Sequence, residues 1–170
     1  MKESWLKELA DFIVEANKNT WAADKGKVEP FFPGDKELEY KRGLWHLRDK
    51  FSGHFRAPGE TVIRYKNFPV WQISYGGHGM LEDYYPIAKP TFQFLRAALM
   101  QVKPKLPFRG PTTYQEDEWN YTFVVNGDME DCTWVERITK GGELVFTQNG
   151  FAGIVIGKTA DKKPVYPWDL

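Results

Sequence analysis

The chain has 170 residues, enough for one domain whose core needs no covalent staple. Apolar residues make up 42% and charged residues 27%, as in folded globular proteins, and the aromatic share of 16% can fill a core or line a pocket. Lys plus Arg equals Asp plus Glu, 23 each, so no net charge draws the chain to a phosphate backbone or an anionic membrane, and direct nucleic-acid binding is not expected. Cys132 is the only cysteine, which rules out an intrachain disulfide and a cysteine-based metal site. No apolar run reaches the roughly 20 residues of a membrane span, and Met1-Lys2-Glu3-Ser4 leads into a charged stretch rather than a signal core. A cytoplasmic single domain over 1–170 is expected.

Ser4 is placed as the N-cap of a first helix. Trp5, Leu6, Leu9, Phe12, Ile13 and Ala16 form its apolar stripe, with Lys7, Glu8, Asp11 and Glu15 opposite. The segment 20–37 has no sustained period and carries Gly26, Pro30, Pro33 and Gly34 together with Trp21, Phe31 and Phe32. Its aromatics either anchor the loop on the core or wall a pocket, with Lys25 and Lys27 near the tip.

Period-two alternation begins near Tyr40, with Trp45, Leu47, Asp49 and Phe51 on one face and His46, Arg48 and Lys50 on the other. Strands are expected over 61–66 and 69–75, ended by Gly76-Gly77 and Gly79. A second helix enters through Pro86 and Pro90, with Thr91 as its cap and Phe92, Leu95, Leu99 and Val102 as its stripe. Strand grammar returns at Trp119, Tyr121, Phe123 and Val125, and again over 131–139. A Gly141-Gly142 hairpin then leads into 144–148, and Asn149-Gly150 breaks that strand. A last short strand is expected over 154–156.

The order helix, strands, helix, strands predicts an α+β fold of two pseudo-symmetric repeats. Each would be one helix plus a three- to four-stranded antiparallel sheet. Repeat one covers 4–79, repeat two 86–156, and 157–170 is a C-terminal tail. Tyr40 and Tyr114, Trp45 and Trp119, and Gly53 and Gly127 lie 74 residues apart; Val70 and Val145, and Trp71 and Phe146, lie 75 apart. The helix stripes align at 86, which makes the 20–37 loop an insertion in the first copy.

No catalytic motif is present. His46, His54 and His78 have no metal-ligand spacing, and no metal or cofactor is expected. The acid pairs Glu82-Asp83, Glu116-Asp117-Glu118 and Glu130-Asp131 flank turns. Glu136 differs, because it alternates with Trp134 and Ile138. Either that face meets solvent and Thr133, Val135 and Arg137 turn in, or Glu136 is an acid in an aromatic-lined pocket suited to a cationic or amphipathic ligand.

Leu38-Glu39-Tyr40 with Trp45, Pro69-Val70-Trp71 with Tyr75-Gly76-Gly77, and Leu106-Pro107-Phe108-Arg109-Gly110-Pro111 together carry a resemblance. From Leu9 to Phe151 the chain resembles an uncharacterised prokaryotic domain family associated with regions that follow Cro/repressor-type helix-turn-helix domains. The resemblance implies a regulatory, ligand-sensing role. No DNA-binding segment precedes Ser4, which argues against direct transcription control. By duplication and composition the chain is also similar to the duplicated sensor domains of multidrug-responsive regulators, which enclose an aromatic pocket with a buried acid.

The leading expectation is a small-molecule-binding or sensing domain, with Trp21, Trp45, Tyr75, Trp119, Trp134 and Glu136 as its binding residues. The alternatives are an enzyme acting on a small substrate through a buried acid, and a protein-interaction module that forms a homodimer through sheet edges or the tail.

Overall fold

Among the described residues, alternating apolar and polar residues build nine strands of one antiparallel sheet, and two amphipathic α-helices pack on it. The computed structural model describes residues 1–80 and 85–170. In chain order the elements are α1 (Lys2–Asn19), β1 (Lys27–Val28), β2 (Asp35–Arg42), β3 (Trp45–Ser52), β4 (Gly59–Tyr65) and β5 (Phe68–Gly79). There follow α2 (Tyr85–Leu99), β6 (Thr113–Glu116), β7 (Trp119–Gly127), β8 (Asp131–Lys140) and β9 (Glu143–Ile154). A small hairpin of β10 (Gly157–Lys158) and β11 (Pro164–Val165) and one 3-10 turn (Pro167–Asp169) follow.

The sheet order is β1-β2-β3-β4-β5-β9-β8-β7-β6. Two meanders thus meet along their last strands, with Trp71 opposite Ile154 and Gly79 opposite Phe146. The fold is α+β, but the sheet is continuous, not two separate sheets of three or four strands. Long β5 and β9 each bury their inward residues against the other, which joins the halves. The β4–β5 ladder passes from Ile63↔Trp71 to Arg64↔Pro69 and so skips Val70; the β8–β9 ladder passes from Ile138↔Phe146 to Thr139↔Leu144 and skips Val145. Each is a β-bulge, which bends its strand and adds twist.

On α1 the stripe packs as its spacing dictates: Leu9, Phe12, Ile13 and Ala16 are buried. The helix starts earlier than Ser4, whose hydroxyl lies within the first turn and donates to the Met1 carbonyl at 2.9 Å. Helix α2 also starts early and runs through Pro90, so Thr91 is not its cap. Thr91 is buried in mid-helix and donates to the Ile87 carbonyl at 2.7 Å, satisfying its hydroxyl without solvent. α2 ends at Leu99, three residues short of the expected Val102.

Two glycine signals expected to end strands do not. β5 runs through Gly76-Gly77 and ends at Gly79, and β9 runs through Gly150, because Gly77 and Gly150 each admit a close neighbour rather than turning the chain. Both helices lie on one face of the sheet. Phe12 of α1 stacks on Trp45 (5.4 Å between ring centroids) and lies beside Tyr40 (6.1 Å). Phe94 of α2 stacks on Trp119 (5.5 Å) and lies beside Tyr114 (5.5 Å).

The 20–37 segment is not a plain loop, since β1 inside it pairs with β2 as the sheet's edge. Trp21 anchors it edge-on to Phe92, with the Arg96 guanidinium over its ring. Phe31 and Phe32 are exposed and pack on each other, so they do not anchor the segment. Among the described residues no helix is long and apolar enough to cross a membrane. The Glu82-Asp83 pair lies outside the described residues.

Candidate functional site

Between the helix-covered face of the sheet, the two helices and the 20–37 segment lies a cavity of about 530 Å³. Its walls are largely apolar: Ile13 from α1, Leu95 and Leu99 from α2, Leu47, Ile63 and Ile73 from the sheet. Trp21 and its neighbours close one side. Volume and lining fit a small-molecule site.

Charged side chains also line it, with Asp24, Lys25, Lys27, Asp35, Lys36 and Glu37 on the side of the 20–37 segment and Asp49 on the sheet. Asp49 occupies an inward position of β3, 6% exposed, in the alternation that also points Trp45, Leu47 and Phe51 inward. One oxygen, Oδ1, accepts from Thr61 Oγ1 at 2.6 Å and from the Tyr75 hydroxyl at 2.9 Å. Thr61 lies directly opposite on β4, whereas Tyr75 reaches across from β5. That reach depends on Gly59, where a Cβ would sit 2.6 Å from the Tyr75 oxygen. Burial pushes the Asp49 carboxyl above the ordinary aspartate range, outweighing Thr61, Tyr75 and the charge of Arg109, which act the other way. Burial, followed by the charge of Asp49, likewise raises the Tyr75 hydroxyl well above its usual value.

Arg109 lines the cavity from the connection between α2 and β6. Its backbone is in the left-handed region (φ 61°), a conformation costing roughly 1 kcal/mol for a residue with a side chain. Packing of Phe108 against Trp71 (5.5 Å) and Phe123 (5.9 Å) fixes the segment beside it. The guanidinium forks onto Glu136, Nε to Oε2 at 3.0 Å and Nη2 to Oε1 at 2.6 Å. Tyr121 donates to the same carboxylate at 2.7 Å, and its hydroxyl accepts from the Gly110 N–H. Burial disfavours the Arg109 charge, but the Glu136 carboxylate overcomes this and holds the guanidinium firmly protonated.

Gln148 adds a further polar group to the lining, from β9. It stands opposite Gly77, where a Cβ would lie 2.6 Å from its Oε1. That close approach is why β5 carries a glycine there.

The six residues singled out from sequence are dispersed. Trp21 and Tyr75 line the cavity. Trp45 is buried beneath α1, donating its indole N–H to Glu8 at 2.7 Å, and Trp119 stacks with Phe94 beside α2. Trp134 is buried against Phe123, with Arg109 over its ring. Glu136 is fully buried, as are Trp134 and Ile138, while Thr133 and Arg137 face solvent. The alternation therefore points inward, but the cation that meets Glu136 is the protein's own Arg109. Asp49, Thr61, Arg109 and Gln148 are the lining residues that sequence reasoning missed. Asp49 carried the same period-two signal as Glu136, an acid in an otherwise apolar register.

Among the described residues no cluster of three or more His, Cys, Asp or Glu could hold a metal ion. No curated protein and no solved structure matches the chain. The family described as Domain of unknown function (DUF5680) matches residues 49–155, a span that includes Asp49, Thr61, Tyr75, Arg109, Glu136 and Gln148, and the chain belongs to that family.

Proposed function

We propose that this domain binds a small, mainly apolar molecule in the cavity between sheet and helices. The observation that carries this reading is a largely apolar space of about 530 Å³ into which a buried acid, Asp49, faces. A chain that needed only a core would fill such a volume, since an unfilled cavity costs stability in proportion to its size. A neutral solvatochromic dye such as Nile red should bind saturably, one per chain, with a blue-shifted emission. Ile73→Trp, which fills the cavity from β5, should abolish that signal while the thermal midpoint is kept. Unsaturable dye uptake, or a signal unchanged by the filled cavity, would contradict the reading.

A regulatory role, with helix-turn-helix segments elsewhere in related chains, is the setting we propose for such binding. The lone, buried thiol of Cys132 supports a cytoplasmic one. An enzymatic reading has one observation in its favour: Asp49 has the burial and the cavity placement of a general acid. Compounds that compete with the dye should be recovered unchanged by mass spectrometry after prolonged incubation if the domain only binds.

We also propose that the two halves descend from one duplicated unit. The paired trios Phe12–Tyr40–Trp45 and Phe94–Tyr114–Trp119 support it. So do the two bulges, whose skipped residues Val70 and Val145 are 75 apart. Tyr75 and Gly150, also 75 apart, are directly opposed in the β5–β9 ladder, where a two-fold axis would pass. Matching Phe12 to Phe94 sets the helices 82 apart, one turn from the spacing of 86 read from the stripes. Superposing the two meanders with that pairing tests it, and a helix crossing the sheet in a different direction in the two halves would count against it.

A further inference from the structure

Resting on the binding reading above, we infer that the cavity's ligand is uncharged, with an apolar body and one hydrogen-bond-accepting polar end such as an amide or ketone carbonyl. The inference comes from what the polar lining leaves unused. Asp49 accepts both of its protein donors on Oδ1, and Oδ2 takes none among the described residues. Arg109 spends Nε and Nη2 on Glu136, and its Nη1 takes no partner among the described residues. Gln148, 6% exposed, makes no side-chain hydrogen bond among them either. These groups offer a guanidinium N–H, a carboxyl oxygen and an amide to whatever occupies the space.

Charge balance then selects the head group. Arg109 and Glu136 cancel each other in a closed, forked pair. An ammonium reaching the sheet side of the cavity meets Arg109, and among the described lining acids only Asp49 lacks a cationic partner, since Asp24 is paired with Lys27 and Arg96, Asp35 with Lys50 and Glu37 with Arg48. A carboxylate on the sheet side competes with Glu136 for Arg109 and sets a second acid beside Asp49, while the lysines of the lining, Lys25, Lys27 and Lys36, are exposed to solvent. A carbonyl oxygen accepts from Arg109 Nη1 or from the Gln148 amide, and brings no charge of its own.

Four compounds sharing one two-ring body separate the possibilities: 2-naphthamide, 2-naphthoate, 2-naphthylmethylammonium and 2-methylnaphthalene. They are titrated calorimetrically at pH 7 into the whole chain and into two variants, Asp49→Leu and Gln148→Leu, so that one variant serves if the other does not fold. The amide should bind at least about tenfold tighter than either ion, because only the ions bring an uncompensated charge into the cavity. In the variants the amide's advantage over 2-methylnaphthalene should shrink, while 2-methylnaphthalene itself is little changed. An ion that binds as tightly as the amide overturns the inference, as does an amide advantage unchanged in every folded variant. Binding of 2-methylnaphthalene without any preference for the amide overturns the head-group inference but leaves the cavity reading standing. Failure of all four to bind removes both.

Discussion

Two acids are buried under the same sheet, Asp49 on β3 and Glu136 on β8, and each accepts a hydrogen bond from a tyrosine. They differ in what else meets them. Glu136 has both oxygens forked by Arg109 and faces no free space, so its charge is spent inside the protein. Asp49 has only the hydroxyls of Thr61 and Tyr75, both on one oxygen, and faces the cavity. The same residue chemistry thus serves as a structural pair in one half and as an open polar group in the other. The lesson is that a buried acid is read by its partner: a guanidinium closes it, and hydroxyls on one oxygen leave the other available.

The largest expected effect lies on the closed side. Arg109→Leu should cost about 3–5 kcal/mol in urea unfolding, because it strands the Glu136 charge in the core. Arg109→Met with Glu136→Met should recover most of that loss, since it removes both charges. A single variant within about 1 kcal/mol of the parent would show that the pair is not closed as described.

Next come the two tyrosines. Tyr121→Phe removes a bond to a charged acceptor and orphans the Gly110 N–H, and should cost about 1.5–3 kcal/mol. Tyr75→Phe removes a bond to an acid whose charge burial disfavours and whose Oδ1 keeps Thr61, and should cost nearer 1 kcal/mol. Equal losses in the two variants would erase the distinction between the two acids.

The smallest effect is a pH dependence. Asp49 holds its proton to higher pH folded than unfolded, so its contribution is complete below the unfolded value and is lost as pH rises through the folded one. The groups facing it, Thr61 of β4, Tyr75 of β5 and Arg109, all oppose that shift, and burial exceeds them. Asp49→Asn removes the titration. From about pH 4 upward, the thermal midpoint of the parent should fall relative to that of the variant. A parent that gains on the variant over the same range would mean that Asp49 is ionised in the fold.

Much of the architecture was legible in sequence because it follows from period. The stripe of α1 and the alternations in β3, β7 and β8 all pack as their spacing requires. Strand ends were harder to read. Gly77 and Gly150 look like turns in sequence, yet each makes room for a neighbour that only the folded sheet supplies. The cavity was legible only in part, because Arg109 reaches Glu136 from 27 residues away through a left-handed turn that no periodicity announces. Asp49 was visible in an apolar register, but its significance depends on Tyr75 crossing a strand above Gly59.

The most direct measurement is a carbon-13 NMR titration of the Asp49 side-chain carboxyl, assigned against Asp49→Asn, in the free chain and with 2-naphthamide bound. The account predicts a midpoint above the ordinary aspartate value of 3.8 in the free chain, and one higher still with the amide bound, since a neutral acceptor favours the protonated acid. A midpoint at or below 3.8, or one driven down by the amide, would contradict it.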